Sequence, residues 1–210
     1  MNVLVTGAAG YIGSVLVNKL LNKGYNVIGI DCLMYGGESL IGVFNHPNFK
    51  FYKADIRDID TLKPILEQVD AIVHLAAIVG DPACAKKPDL ARSINWEGSV
   101  NLLNAAHNIN RIKRFIFAST CSNYGKMEGN NYITEDSPLK PVSLYAELKV
   151  QFEKHLLQND YRADFCPTAL RFATVYGLSP RMRFDLTVNE FTRDAALGRE
   201  LVIFGEQFWR

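Results

Sequence analysis

The sequence predicts an α/β fold built on a doubly wound parallel sheet. Apolar runs rich in β-branched residues alternate with helix-like segments, as in buried parallel strands joined by crossover helices. The predicted strands are Asn2–Thr6, Asn26–Ile30, Phe49–Ala54, Ala71–Ala76, Arg114–Ala118 and Pro167–Phe172. The predicted helices are Ile12–Asn22, Asp60–Gln68, Leu90–Asn108 and Ser143–Gln158. The last three open near an Asp or a Ser, which suits a helix start.

The pattern changes after Phe172. A loop-like stretch is followed by a predicted helix over Leu186–Leu197 and a short strand over Glu200–Phe204. We therefore expect a larger domain over residues 1–174 and the beginning of a smaller lobe over residues 175–210.

Composition and charge exclude several classes of function. The chain has 210 residues, of which 48% are hydrophobic and 21% charged, which is ordinary globular composition. The 23 basic and 22 acidic residues are interspersed, so no extended basic field is present for nucleic acid. No apolar run approaches the ~20 residues of a membrane helix. We expect a soluble, cytoplasmic protein that binds neither nucleic acid nor membrane.

The cysteines and histidines predict no metal site. The four cysteines form no Cys-x-x-Cys pair, and the four histidines have no metal-ligand spacing. We expect reduced and mostly buried thiols. His74 lies in an apolar strand-like run, so we interpret it as a core residue whose hydrogen bonds are satisfied.

A glycine-rich turn directly follows the first strand. Gly7, Gly10 and Gly13 have the spacing Gly-x-x-Gly-x-x-Gly. Glycines let the backbone approach a pyrophosphate closely, and the N–H groups of a helix starting at Tyr11 and Ile12 would face its oxygens. The turn predicts a phosphate-bearing cofactor; the alternative is that the glycines serve packing only.

An aspartate closes the second predicted strand. Asp31 lies 18 residues after Gly13, about where an acidic side chain accepts hydrogen bonds from the adenosine ribose. Its carboxylate would repel the additional phosphate of NADP, so NAD is favoured. Asp55 and Ile56, which close the third strand, could flank the adenine. The alternatives are a turn aspartate at Asp31 and a helix-start signal at Asp55.

A tyrosine and a lysine lie one helical turn apart near the start of the Ser143–Gln158 helix. Tyr145 and Lys149 therefore share a face. A nearby positive charge favours the phenolate, as would an oxidised nicotinamide, so Tyr145 could take a hydroxyl proton near neutral pH. Thr120 follows the fifth strand at the same edge and could donate a hydrogen bond to the reacting oxygen. The alternative is that its hydroxyl satisfies the local backbone.

These residues, with other short motifs in the same order, resemble the extended short-chain dehydrogenases/reductases, in the branch of nucleotide-sugar epimerases and dehydratases. The further matching motifs are Asp55–Asp58, His74–Ala77, Asn95 with Gly98, Ser119–Thr120, Tyr124–Gly125 and Leu170–Arg171. The resemblance covers nearly the whole chain. It implies a Rossmann-like NAD-binding domain and a catalytic triad of Thr120, Tyr145 and Lys149.

The resemblance also implies binding roles. Lys149 would hold the nicotinamide ribose, Asn95 would be structural, and Leu75, Ala76 and Ala77 would line the adenine and ribose channel.

In the tail, the resemblance implies a substrate site for a nucleoside-diphosphate sugar. Phe204 would lie along the nucleotide base and Arg210 would pair with the diphosphate. Arg181 or Arg183 could assist, because a guanidinium suits phosphate oxygens.

The residues after Thr120 bear on the reaction. Dehydratases that resemble this chain carry an Asp and a Glu there, whereas this chain has Cys121 and Ser122, which cannot replace that acid/base pair near neutral pH. An epimerase needs only a base, a hydroxyl donor and a retained cofactor. We therefore favour a 4-epimerase that acts through a 4-keto intermediate.

The alternatives are a nucleotide-sugar dehydratase, reductase or dehydrogenase, and a non-catalytic NAD-binding regulator. Members of the family usually continue further, so we expect an incomplete substrate lobe and a piece of a longer protein. The resemblance also implies a homodimer.

Overall fold

A six-stranded sheet organises the chain. The structure is a computed structural model, and it describes residues 1–126 and 132–203. The strands are β1 (Asn2–Thr6), β2 (Asn26–Asp31), β3 (Phe49–Lys53), β4 (Ala71–His74), β5 (Arg114–Thr120) and β6 (Cys166–Phe172). Their order is β3-β2-β1-β4-β5-β6, and every neighbouring pair is parallel. The predicted parallel α/β fold is confirmed.

Helices connect the strands. They are α1 (Tyr11–Asn22), α2 (Ile59–Leu66), α3 (Asp81–Lys86), α4 (Pro88–Arg92), α5 (Ser99–His107), α6 (Leu144–Gln158) and α7 (Thr187–Ala196). Two short 3-10 helices lie at Glu38–Val43 and Cys121–Tyr124.

The sheet separates two hydrophobic cores. Side chains alternate between the faces of a strand, so Val3 and Val5 of β1 pack with Val17 of α1 in one cluster. Leu4 belongs to the other cluster, which includes Leu102 of α5 and residues of α2 and α6. Both faces of the sheet are therefore covered, as a doubly wound fold requires.

The predicted helix over Leu90–Asn108 is present, with a π-helical turn inside it. It consists of α4, a π-helical turn at Ser93–Gly98, and α5. In that turn the Asn95 side chain accepts a hydrogen bond from the Ile78 nitrogen at 2.8 Å and donates one to the Ile78 carbonyl at 2.9 Å. The structural role expected for Asn95 is confirmed, and this tertiary contact explains why periodicity alone missed the π-helical turn.

The predicted strand over Glu200–Phe204 is wrong for the part that is described. Residues 200–203 have no regular structure, and Phe204 lies outside the described residues. A strand needs a neighbour to accept its hydrogen bonds, and among residues 1–126 and 132–203 the sheet ends at β6.

Cysteine burial differs from the prediction. All four cysteines are free, but only Cys84 is buried, whereas Cys32 and Cys166 are exposed. Among the described residues, no helix combines the length and apolarity needed to span a bilayer. The same residues contain no group of three or more potential metal ligands.

Candidate active site at the carboxyl edge of the sheet

The connections that follow β1 and β4 lie side by side, where the strand order reverses. Thr6 ends β1, and its Oγ1 accepts hydrogen bonds from the N–H groups of Leu75 and Ala76, each at 3.1 Å. A Cβ added at Gly7 would lie only 2.9 Å from the Ala76 nitrogen. The glycine turn and the half-buried Leu75–Ala77 segment therefore meet at the position where doubly wound sheets bind ligands.

A buried histidine holds this edge together. His74 Nδ1 lies 2.8 Å from Thr6 Oγ1, and His74 Nε2 lies 2.9 Å from Ser99 Oγ. Because Thr6 Oγ1 already accepts two N–H groups, it donates its own proton to Nδ1, and Nε2–H donates to Ser99. Burial, with a smaller contribution from the Lys149 charge, lowers the His74 pKa to about 3. The interpretation of His74 as a satisfied core residue is confirmed.

The glycine turn has the shape that a bound diphosphate needs. Gly7 has φ +70°, which favours glycine, and a Cβ at Gly13 would lie 2.1 Å from the Gly7 carbonyl oxygen. Gly10 is the N-cap residue of α1, and no side chain caps this helix. The N–H groups of Tyr11 and Ile12 therefore have no acceptor within the helix. Gly13 serves packing, and this does not exclude ligand binding at the turn.

Asp31 supports the turn from the end of β2. Its carboxylate accepts hydrogen bonds from the backbone N–H groups of Ala9, at 3.1 Å, and Leu33, at 2.8 Å. Two such bonds use only part of the capacity of a carboxylate, which accepts about four. Asp31 can therefore hold the turn and accept a ribose hydroxyl.

Asp55 and Ile56 follow β3. The Asp55 carboxylate pairs with Arg57 at 2.7 Å, and hydrogen bonding from Arg57 lowers the Asp55 pKa. Ile56 is buried in the core. Asp55 is therefore the member of this pair whose side chain faces the edge.

The structure brings Thr120, Tyr145 and Lys149 together. Tyr145 lies in the first turn of α6, whose start Ser143 caps by accepting a hydrogen bond from the Ala146 N–H. Lys149 Nζ lies 5.8 Å from the centre of the Tyr145 ring, and the Thr120 hydroxyl is close enough to the phenol to lower its pKa. Thr120 Oγ1 also accepts the Ser122 N–H at 3.1 Å. The Thr120 hydroxyl therefore also satisfies the local backbone, as the alternative interpretation predicted.

Lys149 is buried as a cation. Its exposed fraction is 4%, its Nζ donates to the Ala118 carbonyl at 2.7 Å, and it lies 4.5 Å from the centre of the Phe117 ring. Burial lowers the Lys149 pKa to about 8.

Burial is the main influence on the pKa of Tyr145. Burial raises it to about 12, with smaller contributions in the same direction from Cys84 and Asp81. The Arg183 charge and the Thr120 hydrogen bond oppose this shift without overcoming it. Loss of hydration therefore outweighs the charges that the protein itself places near the phenol. A phenolate near neutral pH, for which we also invoked the charge of an oxidised nicotinamide, stays a prediction.

Sequence reasoning missed a buried polar network behind the triad. Glu153, 2% exposed, accepts hydrogen bonds from Ser119 at 2.5 Å and from Arg171 at 2.9 and 2.6 Å. Asn123 donates to both Ser119 and Glu153. The available signal was the spacing, since Glu153 follows Lys149 by four residues on one helix face.

The expected substrate residues are only partly described. Arg210 and Phe204 lie outside the described residues. The Arg181 guanidinium carbon lies 4.6 Å from the centre of the Tyr35 ring. Arg183 pairs with Asp185 at 2.5 Å, and its charge opposes the rise in the Tyr145 pKa.

A family comparison agrees with this geometry. The model of the NAD dependent epimerase/dehydratase family matches residues 3–210. This chain belongs to that family. The resemblance inferred from the short motifs is thus confirmed.

Several members of the family are similar to the chain. A UDP-glucose 4-epimerase of Lactobacillus helveticus is 38% identical over 181 residues, covering 85% of this chain and 53% of the relative. The crystal structure of a UDP-glucose 4-epimerase from Thermotoga maritima with UDP-glucose has a TM-score of 0.83 and 32% identity. A UDP-glucuronic acid 4-epimerase from Bacillus cereus, in complex with UDP-glucuronic acid and NAD, has a TM-score of 0.84 and 32% identity.

The chain spans only part of these relatives. The match to each of the two solved structures includes 98% of this chain but only 66% of the chain in the solved structure. The fold of this chain therefore corresponds to about half to two-thirds of the epimerases that it matches.

Proposed function

We propose that this chain is the cofactor-binding and catalytic part of an NAD-dependent 4-epimerase of a nucleoside-diphosphate sugar. The observation that carries the proposal is the placement of Tyr145, Thr120 and Lys149 at the same sheet edge as the glycine turn. The similar epimerases from three bacteria support the reaction class.

NAD fits the residues at this edge. A Cβ at Gly7 or Gly13 would fill the turn, and the N–H groups at the start of α1 suit a diphosphate. Asp31 would accept the adenosine ribose hydroxyls, as NAD rather than NADP requires. Asp55, Ile56, Leu75, Ala76 and Ala77 would line the adenine and ribose channel, and Tyr145 and Lys149 would hold the nicotinamide ribose. Bound NAD would supply the acceptor and donor of a hydride.

The protein's residues would move and hold the proton. Tyr145 would take the proton of the sugar 4-hydroxyl as the 4-keto sugar forms, and would return it when the keto group is reduced on its other face. Thr120 would hydrogen-bond the reacting oxygen. Since the Tyr145 pKa is about 12 here, proton removal needs additional positive charge beside the phenol in the loaded site.

Cys121 and Ser122 favour epimerisation over dehydration. They occupy the 3-10 helix after Thr120 and are both half-buried. Neither side chain is a carboxyl that could protonate a leaving hydroxyl near neutral pH.

The substrate would extend toward the C-terminal residues. Residues 1–174 would form the NAD-binding domain and residues 175–210 part of the substrate lobe, with Phe204 along the base and Arg210 on the diphosphate. We also propose a homodimer, formed through the surface of α5 and α6. Light scattering of the purified protein measures its mass in solution, and a monomer would contradict this assembly. The cytoplasmic location stays a prediction.

The test is turnover of the complete protein that carries this chain. UDP-glucose is incubated without added NAD, and UDP-galactose is measured by NMR, with UDP-glucuronic acid and UDP-N-acetylglucosamine as further substrates. Tyr145→Phe should lower turnover by about 100-fold or more, whereas Tyr132→Phe, at a tyrosine that is 99% exposed, should not.

Each alternative gives a different outcome. A dehydrated sugar would indicate a dehydratase, and turnover that consumes added NADH or NAD would indicate a reductase or a dehydrogenase. Bound NAD with no turnover on any substrate would indicate a regulator.

A further inference from the structure

The side chain of Tyr11 leaves the glycine turn and contacts the C-terminal segment. Its hydroxyl donates to the Gly177 carbonyl at 2.6 Å and accepts from Asn189 Nδ2 at 2.9 Å. The partners lie 166 and 178 residues further along the chain. The backbone of the same tyrosine supplies one of the N–H groups proposed to face the diphosphate.

Asn189 closes a ring of hydrogen bonds around this hydroxyl. Its Oδ1 accepts the Gly177 N–H at 2.9 Å, and its Nδ2 also donates to the Arg183 carbonyl at 3.0 Å. The side chain lies on α7 and is 6% exposed. Asn189 therefore fixes both ends of the loop Gly177–Arg183, which we call the arginine loop.

A second contact strengthens the same connection. Ser179, within the arginine loop, donates to the backbone carbonyl of Tyr11 at 2.7 Å, and its Oγ lies 3.2 Å from Ser14 Oγ. The first turn of α1 is thus bonded to the arginine loop at two places.

The arginine loop carries a cation that acts on the reacting group. It ends at Arg183, whose guanidinium is held by Asp185 and whose charge lowers the Tyr145 pKa. A displacement of the loop would therefore change the position of a cation beside the phenol. Tyr11 is then common to the turn that would hold the diphosphate and to the loop that presents Arg183.

We propose that Tyr11 is a positioning residue that couples the cofactor turn to the arginine loop, so that NAD and the nucleotide part of the substrate each favour binding of the other. This inference rests on the proposed function. Two ligands that stabilise the same arrangement of a connecting element must strengthen each other by the same factor.

The experiment compares the wild-type chain with Tyr11→Phe, which removes the hydroxyl and keeps the ring and the backbone N–H. Amide hydrogen exchange is measured over residues 177–189 with and without NAD. The Tyr11 hydroxyl holds both Asn189, which accepts the Gly177 N–H, and the Gly177 carbonyl. Because the variant loses these two hydrogen bonds, its Gly177 amide should exchange on the order of tenfold faster. NAD should slow this exchange in the wild-type chain and much less in the variant. The control is Tyr176→Phe, since Tyr176 lies in the adjacent segment and is 66% exposed.

Binding isotherms give a second measurement. The dissociation constant of UDP is determined for the complete protein with and without saturating NAD. NAD should strengthen UDP binding in the wild-type protein and in Tyr176→Phe, and this factor should fall toward one in Tyr11→Phe, while the NAD dissociation constant stays within about threefold.

Unchanged exchange at Gly177, or an unchanged coupling factor, would overturn the role of Tyr11. Failure of the wild-type chain to bind NAD would instead contradict the proposed function. The exchange comparison without NAD would still test the contact between Tyr11 and the arginine loop.

Discussion

Replacing Lys149 with methionine should make the folded chain more stable at neutral pH, although the proposed chemistry would be lost. Burial lowers the Lys149 pKa from 10.5 to about 8, and each tenfold change in acidity corresponds to about 1.4 kcal/mol. The buried cation therefore costs about 3 kcal/mol of folding free energy at pH 7. Methionine is of similar length and apolar, but it loses the hydrogen bond to Ala118, worth about 1 kcal/mol. The net expectation is a gain of about 2 kcal/mol.

The pH dependence of the unfolding free energy tests the same cost independently. Between pH 8 and 10.5 the unfolded chain holds a proton on Lys149 that the folded chain has lost, so the stability of the wild-type chain rises with pH across this window. Below pH 8 both states are protonated and the cost is constant. The advantage of Lys149→Met should therefore be largest below pH 8, should disappear near about pH 9.5, and should reverse above that pH.

The assay is urea unfolding at pH 7 and at pH 10, followed by circular dichroism. The matched control is Lys154→Met, at an exposed lysine of the same helix, which should change stability by less than about 0.5 kcal/mol. A less stable Lys149→Met at pH 7, or an advantage independent of pH, would refute the assignment of a buried, costly cation.

Three further outcomes are expected. The His74 pKa is lowered, so the unfolded chain takes up the proton first as pH falls below 6.5. His74 should therefore contribute a loss of up to about 1.4 kcal/mol per pH unit to the free energy of unfolding, measured with urea from pH 7 to 5. An NMR signal assigned to the His74 imidazole that titrates near pH 6.5 would contradict this. Gly13→Ala should weaken NAD binding at least tenfold in a fluorescence titration, since the new Cβ would lie 2.1 Å from the Gly7 carbonyl oxygen. The control Gly42→Ala meets nothing within 4 Å and should bind NAD like the wild-type chain. Equal NAD affinities of the two variants would count against the glycine turn as the NAD site. Glu153→Gln should lower the free energy of unfolding, measured with urea, by about 3 kcal/mol or more, because Arg171 keeps its charge without a carboxylate partner. Changing both Glu153 and Arg171 to Met should restore most of that stability. If the effects of the two single changes simply added in the double variant, the two residues would not be energetically coupled.

The strands could be predicted because their signal is local. Parallel strands with both faces covered are apolar runs, and the predicted strand Asn2–Thr6 has the bounds of β1. Helix α6 was also predictable, since Ser143 is an N-cap residue directly before it. The π-helical turn around Asn95 was not, because it depends on a partner 17 residues earlier in the chain.

That Thr120, Tyr145 and Lys149 come together could be predicted from the sequence, whereas their pKa values could not. Spacing places Tyr145 and Lys149 on one face, but their pKa values depend on how completely the fold removes water from each group. Burial raises the pKa of Tyr145 and lowers that of Lys149, so it disfavours the charged form of each group. A count of nearby charges in the sequence could not predict these shifts. The contact of Tyr11 with Asn189 was equally hidden, since it joins residues 178 positions apart.

Helix α6 explains how the fold tolerates these costs. Tyr145, Lys149 and Glu153 recur at every fourth position and form one polar stripe, with Phe152 fully buried beside it. In the middle of the stripe, Lys149 is buried with no carboxylate partner among residues 1–126 and 132–203, and at the C-terminal end the Glu153 carboxylate pairs with Arg171. A carboxylate paired with Lys149 itself would remove its folding cost and also cancel the positive charge that must lower the Tyr145 pKa during proton removal. Glu153 pairs with Arg171 and not with Lys149, so the lysine charge stays available to the phenol. In the proposed reaction, the buried cation would be a cost that function imposes on the fold.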